Sequence, residues 1–269
     1  MRRGRPPEPP ELPEAARPSW PPWYAPAALF GAFGAIVVAS FPLLPVILTF
    51  GISEAVAGIA LLALLLVQDG LLVLAALLLA SLKRSPRRWH FGIRATRLWP
   101  TVGLTVLAFA LMLGFELGYI ELFQVDETNV EDLGQGNPVA GFAVALAVIV
   151  VAPVAEEIFF RAFFYRALRT RLAVWSAALI DGLVFGALHF QGTDTAIILP
   201  VIAVFGVGQC LVYERTGSLF AVIAIHAAFN TVAMLSLVPL PAVLIGSMVV
   251  LACLLAPLKA GRWPSPVPA

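Results

Sequence analysis

Eight stretches of mostly apolar residues follow one another along this chain, separated by short polar segments. They cover approximately residues 26–50, 55–82, 100–123, 139–160, 173–190, 195–213, 218–238 and 241–258. An α-helix needs about 20 such residues to cross the hydrocarbon core of a bilayer. The pattern therefore predicts an all-α protein, a polytopic transmembrane helical bundle of about eight spans.

Composition supports a membrane protein over a soluble one. Of the 269 residues, 60% are hydrophobic and 12% are charged, whereas a soluble domain carries about twice that charged fraction. The net charge of +1 says nothing about nucleic acid, but the sequence has no basic patch with interleaved aromatics, and we expect no nucleic-acid partner. Cys210 and Cys253 both lie in apolar stretches, so we interpret them as small apolar fillers and not as a disulfide or metal pair.

The charges between the apolar stretches predict the orientation in the membrane. The basic loop, residues 81–99, and the arginines at 166, 169 and 171 should be cytoplasmic, and the acidic segment 126–137 should be outside. Alternation of eight spans then places both termini in the cytoplasm. We expect an integral protein of a bacterial plasma membrane, in contact with membrane lipid.

The same pattern divides the chain into four parts. Residues 1–24 are Pro-rich and predict a disordered tail, residues 25–137 hold the first three helices, 138–258 form a candidate catalytic core, and 259–269 form a C-terminal tail. Trp20, Trp23 and Tyr24 are typical of an interfacial aromatic belt. Two acids inside spans, Asp69 and Asp181, are interpreted as helix-packing contacts, with a helix kink as the alternative for Asp69.

A pair of adjacent glutamates interrupts the fourth apolar stretch. Charged groups at membrane depth cost roughly 2.5–3.5 kcal/mol each, so a partner or a function must offset them. Glu157 and Arg161 are four residues apart with the acid first, which favours an ion pair on a helix. Glu156 lies about 100° round the helix and is left without that partner.

Two of the three histidines also lie in apolar helices. His226 and Asn230 are four residues apart and share a helix face, whereas His90 lies in the basic loop and is expected to be solvated. If the helix with Glu156 turns near Leu172, Glu156 is 172 − 156 = 16 residues before the turn and His189 is 189 − 172 = 17 after it. The two side chains are then level in an antiparallel hairpin, about 25 Å from the turn.

These residue types suit a hydrolysis reaction. A carboxylate can accept a proton from water with help from a histidine, and a histidine and an amide can donate hydrogen bonds to an oxyanion. The same set could instead hold zinc through Glu156, His189 and His226, with an open position for water. The sequence leaves open whether the cofactor is zinc or whether there is none.

Three short motifs resemble those of the CPBP family, the type II CAAX prenyl proteases and bacteriocin-processing-like (Abi) intramembrane proteases. EEIFFR (Glu156–Arg161) matches its EExxxR motif, FGALH (Phe185–His189) its FxxxH motif, and HAAFN (His226–Asn230) its HxxxN motif. The resemblance covers about Val139–Leu237 and implies that Glu156 and His189 activate water. It further implies that His226 and Asn230 form an oxyanion site. It implies a supporting role for Glu157 and Arg161.

The expected function is that of an intramembrane endopeptidase. It would cleave near the C-terminus of a membrane-anchored or lipidated, CAAX-like peptide or protein, reached from the cytoplasmic side or from the lipid. The alternative is a non-catalytic membrane protein for bacteriocin self-immunity or scaffolding. A proton-coupled transporter fits less well, because a proton relay needs neither Asn230 nor an oxyanion pair.

Overall fold

The computed structural model describes residues 18–41, 54–94, 96–125, 138–235 and 238–259, and every regular element in them is helical. The long helices are α1 (Tyr24–Ser40), α2 (Glu54–Ser81), α3 (Leu98–Phe123), α4 (138–169), α5 (Val174–Leu188), α6 (Leu199–Thr216), α7 (Leu219–Ala233) and α8 (Pro239–Lys259). Short 3₁₀ turns lie at Arg88–Phe91 and Thr193–Thr195. The acidic segment 126–137, residues 1–17 of the predicted N-terminal tail and residues 260–269 lie outside the described residues.

The eight helices begin and end near the predicted apolar stretches, and the all-α prediction is confirmed. The first helix ends at Ser40, while residues 42–53 of the first and second stretches lie outside the described part. Among the described residues, four helical segments are long and apolar enough to cross a membrane: Leu62–Ser81, Leu98–Phe123, Gly141–Arg169 and Leu240–Pro257. The number of spans and the side of the termini stay predictions.

Helix α4 extends far beyond the apolar stretch that predicted it. It contains 169 − 138 + 1 = 32 residues, which at 1.5 Å per residue span about 48 Å. This exceeds the roughly 30 Å of hydrocarbon in a bilayer, so one end of the helix must lie beyond it. As the hairpin argument required, α4 continues through its basic end and the chain turns before α5 begins at Val174.

Two of the three aromatic residues at the start of α1 belong to the core and not to an interfacial belt. Trp20 is buried, packs against Phe163 of α4 and donates its indole N–H to the Ala80 carbonyl of α2 at 3.2 Å. Tyr24 is also buried, and only Trp23 of the three is exposed. The belt prediction is therefore wrong for Trp20 and Tyr24, because their rings fill the space between the first helices and α4.

The basic loop folds back onto the turn between α6 and α7. Arg94 donates to the carbonyls of Thr216 (2.7 Å) and Gly217 (3.0 Å), and the Gly92 carbonyl accepts from the Leu219 backbone N–H. Gly92 has a φ of 76°, and a Cβ there would lie 2.8 Å from Tyr213. His90 is buried in this loop, so the prediction that it is solvated is wrong.

Candidate active site

A wide turn in α4 shapes the first part of the site. Residues Ala147–Val151 form a π-helical segment in which the Ala152 N–H bonds to the Ala147 carbonyl, five residues back. The Val148 carbonyl thus loses its usual partner at residue 152. In a π-helical segment this carbonyl would accept from the N–H of residue 153, but residue 153 is a proline and has no N–H. Proline also clashes with the carbonyl four residues before it, which accounts for the widened turn.

Asn230 of α7 satisfies the carbonyl that this turn releases. Its amide nitrogen donates to the Val148 oxygen at 2.7 Å. A side-chain amide has two N–H donors, so this bond uses one and orients the second. The wide turn in one helix therefore positions the amide of another, and π segments are frequent at functional sites for this kind of reason.

Glu157 is at the centre of a fully buried polar cluster. One of its oxygens, Oε1, faces Nη1 of Arg161 at 3.1 Å, Nδ1 of His226 at 2.8 Å and the Gln209 amide at 3.4 Å. Its side chain has 0% exposure. The ion pair that the i, i+4 spacing predicted is thus present, and it is joined by two groups from α6 and α7.

Arg161 carries the cluster into α5 and α6. Its Nε lies 3.7 Å from Oδ1 of Asp181, its Nη2 donates to the Gly206 carbonyl at 3.4 Å, and the guanidinium lies 4.3 Å from the ring centre of Phe185. Cys210 donates its thiol to the same Asp181 oxygen at 3.1 Å. Asp181 is therefore an interhelical contact, as predicted, while Cys210 does more than fill apolar space.

Glu156 lies outside this cluster, although it is next in sequence to Glu157. Its side chain keeps 15% exposure, and its Oε2 is 3.9 Å from Nε2 of His226 without a hydrogen-bond partner. Because the other His226 nitrogen faces the Glu157 carboxylate, that nitrogen carries the proton and donates it. His226 thus lies between the fully buried carboxylate of Glu157 and the partly exposed side chain of Glu156.

His189 caps the end of α5, and its ring packs against Phe185 at a centroid distance of 4.7 Å. Its Nδ1 lies 2.7 Å from the Phe185 carbonyl. A carbonyl oxygen only accepts, so Nδ1 must donate, and Nε2 of the neutral ring then has a free lone pair. This tautomer can accept a proton. The Phe185 ring also touches His226, so one phenylalanine separates the two histidines.

The structure brings Glu156, Glu157, Arg161 and His226 into one connected group and places Asn230 one helical turn further along α7. His189 joins this group through Phe185 and not by a direct bond. In the described residues no three carboxylate, histidine or cysteine side chains are grouped as metal ligands.

Sequence reasoning missed one residue of the buried cluster. Gln209 has no exposure and donates its side-chain amide to the Val222 carbonyl of α7 at 2.9 Å as well as to Glu157. The signal was present, because an uncharged polar residue stands alone in the apolar run GVGQCLV of α6. Such a residue in a membrane helix usually hydrogen-bonds to a neighbouring helix.

Residues 138–232 match the family model described as type II CAAX prenyl endopeptidase Rce1-like. The matched segment runs from the start of α4 almost to the end of α7 and contains all six of the site residues that the motifs identified. It confirms the resemblance to the CPBP family and, with the apolar helices, supports an integral membrane protein. No curated protein and no solved structure matches the chain.

Proposed function

We propose that this chain, with its Rce1-like segment at residues 138–232, is an intramembrane endopeptidase of the CAAX type. It hydrolyses a peptide bond near the C-terminus of a membrane-anchored or lipidated, CAAX-like peptide. The observation that carries this proposal is the contrast between two neighbouring carboxylates. Glu157 has 0% exposure and is engaged by three donor side chains, whereas Glu156 keeps 15% exposure and lies 3.9 Å from His226.

In the proposed reaction Glu156 takes a proton from a water molecule as the water oxygen attacks the peptide carbonyl. The lone pair on Nε2 of His189 assists by accepting a hydrogen bond from the same water. A positioned base of this kind contributes about 10²–10⁴-fold to a rate. The tautomer of His189 that its bond to the Phe185 carbonyl imposes supports this role.

The negative charge that develops on the carbonyl oxygen of the substrate needs hydrogen-bond donors to stabilise it. The second N–H of Asn230, held in place by the bond to Val148, is the first. Nε2 of His226 is the second in the state in which both ring nitrogens carry a proton, with Nδ1 held by Glu157. Donors held in advance in a water-poor site stabilise such a charge by about 2.7–4 kcal/mol each.

The decisive experiment compares purified wild type with Glu156→Gln in detergent, on lipidated C-terminal peptides. Glu156→Gln should lower kcat at least about 100-fold, because the base is lost, with an unchanged melting temperature. Glu121→Gln, an exposed acid near the end of α3, is the matched control and should cleave like wild type. Cleavage should persist in a zinc chelator, since the described residues present no grouped ligand set.

Each outcome has a clear meaning. Full activity in a folded Glu156→Gln protein would remove Glu156 from this role. Activity that a chelator abolishes and zinc restores would contradict the metal-free arrangement. A wild type that cleaves no lipidated peptide would overturn the protease and favour the immunity or scaffold alternative.

A further inference from the structure

Positive charge gathers at one end of the helix bundle, which we call the basic face. Its ten lysines and arginines lie between α2 and α3, at the end of α4 or at the end of α6: Lys83, Arg84, Arg87, Arg88, Arg94, Arg97, Arg166, Arg169, Arg171 and Arg215. Buried contacts join these three parts of the chain. Arg94 donates to the Thr216 carbonyl at the end of α6, and Trp20 packs against both Phe91 of the loop and Phe163 of α4.

The basic face lies at the depth of the lipid headgroups. Of the segments that are long and apolar enough to cross a membrane, those in α2 and α4 end at Ser81 and Arg169, and that in α3 begins at Leu98. Basic residues next to the ends of such segments lie among the headgroups. Arg166 is 166 − 156 = 10 residues beyond Glu156, or about 15 Å along α4, so the basic face is separate from the proposed active site.

Almost no negative charge balances the basic face within the described residues. The acid at this end is Glu214, and both Arg169 and the Tyr165 hydroxyl already bind it at 2.8 Å. Of the ten cations, all except Arg94, Arg166 and Arg169 are exposed. None of the exposed seven forms an ion pair with a described acid. The face therefore presents a positive charge that is available to an anion.

Arg166 adds a half-buried guanidinium to these exposed charges. It lies 5.9 Å from the ring centre of Tyr213, and its buried Nε makes no hydrogen bond to any described residue. Tyr213 in turn contacts the basic loop, since a Cβ on Gly92 would lie 2.8 Å from its ring. Burial of such a group without an acceptor is unfavourable. A guanidinium presents paired N–H donors that match the oxygens of a phosphate.

We propose that the basic face binds the headgroups of anionic phospholipids, with Arg166 and the arginines of the loop donating to the phosphate. A membrane lipid fits better than an acidic protein, because the cations flank three membrane-crossing segments at headgroup depth. The predicted orientation turns this end towards the cytoplasmic leaflet, which carries the anionic lipids. The role is independent of peptide cleavage.

The test titrates the purified protein in detergent with phosphatidylglycerol, and separately with phosphatidylcholine, whose headgroup has a phosphate and no net charge. Native mass spectrometry measures the bound lipid. A basic residue near an anionic surface contributes about five-fold to binding, so the combined change Arg84→Gln, Arg87→Gln and Arg88→Gln should raise the Kd for phosphatidylglycerol about 100-fold. The matched control replaces the same three arginines by lysine, which keeps the charge, and should bind as wild type does.

The half-buried arginine is tested separately. Arg166→Gln should also weaken binding of phosphatidylglycerol and leave binding of phosphatidylcholine unchanged. A rise from about 0.1 M to about 1 M salt shortens the screening length from about 10 Å to about 3 Å, so it should remove most of the preference of wild type for phosphatidylglycerol. Melting temperatures in phosphatidylcholine check that every variant is folded.

Three results would overturn the inference. The first is an equal Kd of wild type for the two lipids, and the second is wild-type binding of phosphatidylglycerol by the folded triple glutamine variant. The third is displacement of the lipid by an equal concentration of soluble glycerol phosphate, which would assign the face to a free anion. None of these measurements requires cleavage, so they are distinct from the test of the protease.

Discussion

Glu156 and Glu157 show how two identical neighbouring residues acquire different chemistry from their surroundings. They point to different sides of α4, because adjacent helical residues are about 100° apart. One side faces Arg161, His226 and Gln209, and the other faces a partly open space. Two carboxyls whose environments differ in this way are the usual basis for separate structural and catalytic roles.

Replacement of Glu157 by glutamine should destabilise the protein. The change leaves the guanidinium of Arg161 buried with only the more distant Asp181 as an acid partner, and removal of one member of a buried pair costs about 3–5 kcal/mol. The melting temperature in detergent should fall well below that of wild type, whereas Glu156→Gln should melt as wild type does. Equal melting temperatures for the two variants would contradict this division of roles.

At the scale of helices, the wide turn in α4 determines where the Asn230 amide points. Pro153 prevents a normal bond to the carbonyls before it, and the Val148 oxygen becomes available to α7. Pro153 therefore specifies the wide turn, and the wide turn positions the Asn230 amide. It also places the segment Ala152–Glu157, with both glutamates, at the start of a new regular helical turn.

Pro153→Ala should lower kcat without lowering stability. Alanine supplies an N–H and removes the clash, so α4 can close regularly at residues 147–153 and compete with Asn230 for the Val148 carbonyl. Interior proline costs a helix about 3 kcal/mol relative to alanine, so the melting temperature should be equal or higher. Kinetics and thermal melting of the purified variant test this.

The control is Pro200→Ala in the first turn of α6, where proline is tolerated and no π segment follows. It should change neither kcat nor melting. A Pro153→Ala protein with wild-type kcat would show that the wide turn does not position Asn230 for catalysis.

The sequence predicted the helices well, because long apolar runs and basic loops report directly on burial in lipid. It also predicted the Glu157–Arg161 pair, since that contact lies within one helix. It did not predict the burial of Trp20, or the burial of Asp69 without a hydrogen bond in the described part of the chain, because burial depends on which helices pack together. It also did not predict that Asn230 bonds to the carbonyl released by the wide turn, because Asn230 is 230 − 153 = 77 residues from Pro153 in the chain.

At the scale of the whole molecule, the first three helices and the core identified by the motifs form one packed unit. Trp20 contacts Phe163, helix α2 packs along α4, and Arg94 bonds to the turn that precedes α7. The predicted division at residue 137 separates the helices that carry no family motif from those that do. The buried contacts cross it, so the residues before 138 contribute to the stability of the site.

The docked basic loop should make stability depend on pH. Burial, and then the nearby cations Arg166, Arg84 and Arg87, lower the pKa of His90 below its ordinary value of about 6.5. The ring accepts the Arg87 backbone N–H on Nδ1 at 3.0 Å and so is folded in its neutral form. The unfolded chain binds the proton more readily, so stability is complete above about pH 6.5 and falls as the pH drops below it.

Thermal melting from pH 7.5 to 5.5 tests this expectation against His90→Asn, which retains an acceptor and does not titrate. The melting temperature of wild type should fall more than that of the variant over this range. An identical fall in both proteins would show that His90 is not the responsible group.

The bonds of Arg94 also set an order for biosynthesis. Its carbonyl acceptors lie 122 and 123 residues further along the chain, so they do not exist until α6 has been translated. Until then the first three helices lack these two hydrogen bonds, whereas Trp20 can contact Phe163 as soon as α4 has been made. A ribosome that stalls before residue 216 would thus leave an intermediate that lacks the hydrogen bonds of Arg94. Such an intermediate is a natural substrate for membrane quality control.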